Sequence, residues 1–316
     1  MLVDEYGTRH LRTRIFTTED GRFLWHRTHL AEAPAITTAA AVPSPNAAPA
    51  TLDGNTVTYT APGATSLARI VWPPAPVTFP LIPAMTAVGH ALRDINGHTG
   101  PLDTAGPPPA LTRLTRWLRA GDEEEGPARL HRLCTDRMGP TRLNTLAEWC
   151  HAAAPGATGD VLLHGEPSLG LTVPAPDGCH AVLLTGETLS RGRPEHDAGW
   201  LLGELAEMAD VAGRNLPGDS TTAPFKIMAA AFLTARGPAP DDTLLRRSAT
   251  LRRMAHLLDF AGNVGWSEGI TAYADTLTAL IDADGRTVLA PLEPTPQDNA
   301  STRNRAGRPV PSDSPR

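Results

Sequence analysis

Residues 161–205 set out their pieces in an order that few folds accommodate. Val161–Leu163 is a short apolar run of strand character, and His164-Gly165-Glu166 follows it directly. A second strand-like run, Cys179–Leu184, comes after the turn-forming Ala175–Gly178. A loop with Gly192 and Pro194 then leads to an apolar helix headed by Asp197. A carboxylate there suits an N-cap or first-turn position, where backbone N–H groups lack helical partners. The succession is strand, carboxylate loop, hairpin, strand, loop and Asp-led helix, and it says more than any one motif inside it. A carboxylate held on a loop after a strand can accept a proton from a hydroxyl. Taken alone, His-Gly-Glu reads first as a turn with one exposed acid, and its neighbours are what point to chemistry.

The flanking sequence divides by periodicity. Leu11–His26 reads as two strands around the Glu19–Gly21 turn, and Thr51–Thr60 as a second hairpin turning at Asp53-Gly54. Leu30–Val42 is alanine-rich and reads as a short helix stopped by Pro43 and Pro45. After Pro80 the period becomes helical. Ile82, Met85, Val88, Leu92 and Ile95 share one face, and Leu111, Leu114, Trp117 and Leu118 another. Gly121–Gly126, with its acids, reads as a solvated turn. Leu130–Ala154 reads as a helix in two pieces broken near Gly139-Pro140. Four more helices are expected over 201–211, 222–235, 242–260 and 270–283. No internal repeat is evident. The expected class is α+β and bilobal: a small β-rich lobe over 1–75, a linker near Ala75, a large helical lobe over 76–290, and a disordered tail over 291–316. Ligands commonly sit in the cleft that such a shape creates.

Composition narrows the function. The formal charge is −6 and the basic groups are nearly all Arg, with Lys226 the single lysine. No basic excess or stripe of the nucleic-acid-binding kind is present. Cys134, Cys150 and Cys179 are too few and too widely spaced for a zinc site. The start, Met1–Tyr6, is charged and lacks a signal-peptide apolar stretch, and no run approaches a membrane span, so the cytoplasm is the expected location. His151, His164, His180 and His196 match no metal-ligand spacing, and Ser168 lacks the Gly-x-Ser-x-Gly elbow of a nucleophile. Trp200 and Trp266 read as packing residues. Arg246, Arg247, Arg252 and Arg253 put a basic side on one helix, either a solvated face or a contact for an acidic peptide.

The 161–205 segment resembles the core of the aminoglycoside phosphotransferase and choline kinase-like superfamily, relatives of protein kinases. Its members typically read His-Gly-Asp-Leu-His-Pro-Gly-Asn in the loop. A strand ending Ile-Asp-Trp follows, then Asp-Pro-x-x-Asp-Leu-Ala before a helix. His164, Gly165, Glu166 and Gly170 match or approach the first motif; Pro194, Asp197 and Trp200–Leu202 approach the last. Gly7–His26 resembles the glycine-loop hairpin with its following strand, and Thr56–Leu67 the strand and linker between lobes. The resemblance spans residues 5–285 and implies a protein kinase-like fold.

It also implies where phosphotransfer groups belong, and these stations depart from the pattern. The lysine position falls on His26, with the permanent cation Arg27 expected on the opposite strand face. The metal-ligand positions fall on Leu171 and Thr185. Leucine offers no lone pair, and a neutral hydroxyl is a poor ligand for hard Mg²⁺. Glu187, two residues on, shares the Thr185 face if the alternation persists. Gly7 is the only glycine before Gly21, so the phosphate loop is thin. The base position keeps a carboxylate as Glu166, one methylene longer and followed by Pro167. Asp197 is kept, and the resemblance gives it the role of bracing the loop backbone.

These departures imply a degenerate member, a pseudokinase with no cofactor expected. Its partners would be a precursor peptide, a catalytic protein or both, the catalytic protein being a lyase-type enzyme that dehydrates Ser and Thr of a ribosomal peptide. Two other readings stay open. One is an active ATP- and Mg²⁺-dependent kinase of a small-molecule or peptide hydroxyl, with Glu166 as base, Glu187 or Asp160 toward the metal, and His26 or Arg27 on phosphate. The other is a binding protein for a small molecule that acts alone.

Overall fold

The computed structural model describes residues 1–30, 42–72, 79–100, 106–121, 125–156, 159–215 and 219–293. The N-terminal part is a five-stranded antiparallel sheet. Its strands are β1 (Leu2–Gly7), β2 (Leu11–Thr17), β3 (Phe23–His29), and, after the short β4 (Ala47–Pro49), β5 (Thr51–Asp53) and β6 (Thr56–Ala61). Spatial order is β1-β2-β3-β6-β5, with Trp25 opposite both Ile15 and Tyr59. Ile15, Trp25, Val57 and Tyr59 form the buried face. β1 is an edge strand that the charged start of the chain concealed. Glu5 lies 3.5 Å and 3.2 Å from Arg12 and Arg14 on β2, so its charge is spent along the sheet edge.

The rest is mainly helical: α1 (Leu67–Val71), α2 (Leu81–Asn96), α3 (Pro109–Ala120) and α4 (Glu125–Ala153). Four short strands follow: β7 (Val161–Leu163), β8 (Thr172–Pro174), β9 (Ala181–Thr185) and β10 (Ser190–Gly192). Then come α5 (Glu195–Asn215), α6 (Asp219–Arg236), α7 (Asp242–Asn263) and α8 (Gly269–Asp282). A 3-10 turn at Ala290–Leu292 closes the described chain. The α+β class with a small sheet region and a larger helical part is thus as the sequence indicated.

Two packing facts position the loop between β7 and β8. β4 runs parallel to β9, Ala47 opposite Leu183, and so ties the N-terminal region to the β8–β9 hairpin of the helical part. α5 crosses α7 through Gly199 and Gly203, where a Cβ would collide with the carbonyls of Leu245 and Ala249. Two apolar cores result. One joins α2, α5 and α6 through residues such as Met85, Leu92, Leu205 and Phe232; the other joins α3, α4, α7 and α8 through Trp117, Leu146, Met254 and Leu277.

Several expectations change in detail. Ile82 is 58% exposed, and Leu81 takes its place on the buried face of α2. α4 carries its break at Gly139, whose φ of 77° and ψ of 163° lie outside the helical region. Gly121, with φ of 60°, closes α3 in the left-handed conformation that L side chains resist. Leu292, placed in the tail by its sequence, packs against the α2–α5–α6 core. The expected helix over 30–42 falls mostly on 31–41, and the linker at Ala75, the acids of 122–124 and the tail from 294 also lie outside the described residues. No helix among the described residues is long and apolar enough to cross a membrane.

Candidate functional site

The loop after β7 is held from every side. Asp197, in the first turn of α5, accepts the His164 N–H at Oδ2 (2.8 Å) and the Gly165 N–H at Oδ1 (2.9 Å). His196 Nε2 contacts the Gly165 carbonyl at 2.8 Å, and Thr188 Oγ1 donates to the His164 carbonyl at 2.9 Å. His164 Nε2 reaches the Leu184 carbonyl at 2.9 Å. Each imidazole meets a carbonyl, which only accepts, so its proton sits on Nε2. Burial pushes both rings down to about 4, so both are neutral at pH 7. Burial also pushes Asp197 up to about 6, against the pull of the two amides and of Arg236. Gly165 has φ of 93° and lies too close to the Thr188 carbonyl for any Cβ, which explains glycine here.

Glu166 turns toward α3. Its Oε1 accepts the Ala110 N–H at 2.9 Å, satisfying one of the open donors at that helix N-terminus. Burial and the neighbouring Asp259 push its carboxyl up to about 7. The loop's Leu169 N–H donates to Glu204 of α5 at 3.0 Å.

Across from the loop, the alternation of β3 decides which side chains face inward. Trp25 is 1% exposed and donates Nε1–H to the Gly63 carbonyl at 2.9 Å, so 25, 27 and 29 share the inner face. Arg27 Nε lies 2.8 Å from Glu187 Oε1 as an ion pair whose N–H is not aligned for a hydrogen bond. Tyr59 donates to the same oxygen at 2.7 Å, and His29 Nε2 meets Oε2 at 3.0 Å. Burial opposes ionisation of Glu187, but His29, Arg27 and Tyr59 outweigh it and hold the carboxyl below its ordinary range. Burial and the Glu187 charge together push the Tyr59 phenol well up. His26 is on the outer face, its ring 4.9 Å from that of Phe16. The inward cation is therefore Arg27, and the expectation that placed His26 there is corrected by the phase that Trp25 sets.

No protein-family model matches this sequence, and no curated protein matches it. Solved structures do. An amicoumacin kinase, solved in complex with AMP-PNP and Ca²⁺, superposes with a TM-score of 0.54 at 12% identity, over 89% of this chain and 88% of its own. An ethanolamine kinase from Plasmodium vivax gives 0.52 at 9% identity over 89% and 82%, respectively. A choline/ethanolamine kinase family protein from Mesorhizobium loti gives 0.50 at 16% identity over 92% of each chain.

The chain has a kinase-like fold. At these identities the likeness concerns the fold alone, and the chemistry has to be read from the residues. A kinase-like fold implies a divalent ion between loop and strand, so the residues there can be tested for fit. Leu171 packs its side chain against two apolar clusters. Thr185 is 4% exposed and its hydroxyl donates to the Leu183 carbonyl at 2.9 Å. Glu187 has both oxygens engaged. Asp160 stands at the far end of β7, where it accepts the Gly156 N–H at 2.7 Å. Among the described residues no group of three or more His, Cys, Asp or Glu is placed to hold a metal ion. These residues do not fit a Mg²⁺ site.

The remaining candidates disperse. Gly7 ends β1 opposite Arg12, and the next amide, Thr8, donates to the Leu11 carbonyl at 2.8 Å, so this turn is closed on itself rather than open to a phosphate. The α7 arginines do not form a basic side. Arg246 pairs with Asp242 at 2.7 Å and Arg247 with Asp284 at 2.9 Å. Arg252, 14% exposed, lies 3.8 Å from Glu204, and Arg253 is 1% exposed against Asp210. The basic side expected of these four is corrected accordingly: α7 packs against α4, α5 and α8, and each arginine pairs with an acid of the chain. Lys226 is on α6, beside Asp242 and Arg246 in a separate cavity of about 420 Å³. Sequence reading missed His29 and Tyr59 as members of the Glu187 cluster. The signal that finds them is strand alternation counted from Trp25 rather than from a motif.

Proposed function

We propose that this kinase-like chain is a pseudokinase that acts as a binding or scaffolding subunit. One observation carries the reading: Arg27, His29 and Tyr59 all converge on Glu187, so the inward guanidinium and this carboxylate neutralise each other. A nucleotide phosphate would have to take Arg27 from its partner, and a metal ion would have to strip three partners from Glu187. Leu171 and Thr185 offer nothing in exchange. A precursor peptide, presented to a lyase-type enzyme that dehydrates its Ser and Thr, is the proposed cargo; this part of the reading rests on the sequence resemblance. The test is calorimetry with ATP and Mg²⁺ on the full chain. No saturable heat is expected, and a measurable affinity that disappears in Glu187→Ala overturns the reading.

A second reading has its own support. Glu166 sits at the base position with its carboxyl near 7, in the range where a general base works best at neutral pH. An active hydroxyl kinase would use it. Transfer of phosphate from ATP to a Ser- or Thr-containing peptide, lost in Glu166→Gln, would establish that reading instead.

A further inference from the structure

α5, α7 and α8 meet at a cluster that neither the braced loop nor the Glu187 contacts use. Glu207 of α5 is 5% exposed, and its Oε1 meets His256 Nδ1 of α7 at 2.6 Å and the Tyr273 hydroxyl of α8 at 2.6 Å. Burial opposes ionisation of Glu207, but the His256 bond and the charges of His256 and Arg252 outweigh it and hold the carboxyl below its ordinary range. Tyr273 goes the other way: burial and the Glu207 charge keep its phenol protonated, as a donor. An ionised carboxylate only accepts, so the neutral His256 ring carries its proton on Nδ1.

The lone pair is therefore on Nε2. The His256 side chain is 47% exposed, and among the described residues nothing bonds to Nε2. This reverses the arrangement of His164 and His196, which turn a protonated Nε2 onto a carbonyl and bury Nδ1. His29 spends Nε2 on Glu187, and His10 has Nε2 covered by Arg9 Nε at 2.9 Å. At His256 the carboxylate is itself fixed by Tyr273, so the ring has one tautomer and one orientation. A carboxylate on one ring nitrogen makes the other a better nucleophile and stabilises the positive charge that forms when it attacks. The exposed position suits a phosphoryl group, whose oxygens stay in water. We propose that His256 is a phosphoryl-accepting residue, modified on Nε2 by a small phosphoramidate. In that step Nε2 forms a bond to phosphorus, the P–N bond of the donor breaks, and its electron pair leaves on ammonia. The positive charge left on the ring is matched by Glu207 through the Nδ1–H bond. The step uses no nucleotide, so the site is independent of whether the inter-lobe cluster binds ATP.

The test incubates the full chain with potassium phosphoramidate at neutral pH. Intact mass follows the gain of a phosphoryl group, and peptide mapping at alkaline pH, where phosphohistidine survives, locates it. His256 should be labelled about tenfold faster than His151 and His180, which are also exposed but have no such carboxylate, a ratio of the size of one charge-assisted hydrogen bond. This comparison is made within the wild-type chain and stands without any variant. His256→Gln, an exposed change, should remove the fast label. Glu207→Gln keeps an oxygen for the Nδ1–H and should slow labelling of His256 about tenfold, with thermal melting confirming that the variant is folded. Labelling of His151 or His180 as fast as His256, or no label on His256, overturns the proposal. So does a rate indifferent to Glu207→Gln in the folded variant.

Discussion

Glu187→Ala tests the cluster on which the functional reading depends. The carboxylate is 9% exposed and receives Arg27, Tyr59 and His29 at 2.8, 2.7 and 3.0 Å. Its removal strands a guanidinium that is only 16% exposed and a buried phenol. Breaking a buried ion pair by deleting one partner costs about 3–5 kcal/mol. Arg27 keeps some water, which places the expected loss at the lower end, about 3 kcal/mol. For a chain of this size that is a melting shift of about 4–5 °C. The double variant Arg27→Met/Glu187→Met should recover most of the loss, because replacing both members of a buried pair by apolar groups is often neutral. A pH series adds a sign. Glu187 is held below its ordinary pKa in the folded state, so its contribution is present above about pH 4.5 and fades as pH falls through the folded value. Wild type and Glu187→Ala should therefore converge in acid. Equal melting temperatures at pH 7, or a double variant no better than the single one, would refute the idea that Glu187 and Arg27 stabilise the fold as a buried pair.

The braced loop gives two more expectations. Asp197→Ala leaves two buried amides without acceptors, at about 1–3 kcal/mol each, against relief of a buried carboxylate. The folded pKa is raised from 3.8 to about 6, so the relief applies only once the group ionises; urea unfolding should show the larger loss at pH 4 and a smaller one at pH 7, and the reverse order contradicts the assignment. Glu166 is raised from 4.5 to about 7, so wild-type stability from this group is full below pH 4.5 and declines as pH rises through 7. Glu166→Gln keeps an oxygen for Ala110 but removes that decline, and should gain about 1–3 kcal/mol over wild type at pH 8, read from melts at pH 4 and 8.

How much was legible beforehand depended on the range of the interaction. Trp117 and Leu118 on α3, the Gly139 break in α4 and the Asp-led start of α5 are local patterns, and each is in the structure where the sequence put it. β1 and β4 were not visible. β1 is charged because it is an edge, and β4 is three residues whose strand partner among the described residues, β9, lies some 136 positions away at Leu183 for Ala47. The same distinction separates the site residues. Asp197 announced itself by heading a helix. His29 and Tyr59 carry no motif, and they matter only because folding brings Glu187 to them from more than 120 residues away. The His26 assignment failed by one residue, which in a strand is the whole difference between inside and outside.

These observations separate scaffold from chemistry on energetic grounds. Asp197, His164 and His196 are fully or almost fully buried and bonded to backbone, so changing any of them exposes the fold to unmatched donors or acceptors. The stations a phosphotransferase needs are not protected in that way. A metal ligand pointing into a cleft stabilises nothing until the ion arrives, so leucine at 171 improves packing and threonine at 185 completes a local hydrogen bond. Left unpaired, Glu187 and Arg27 would each face a partly dry interior, and pairing them is the low-energy arrangement. The closed cluster, in which Glu187 holds Arg27, His29 and Tyr59, is thus the arrangement that the proposed binding or scaffolding role leads one to expect.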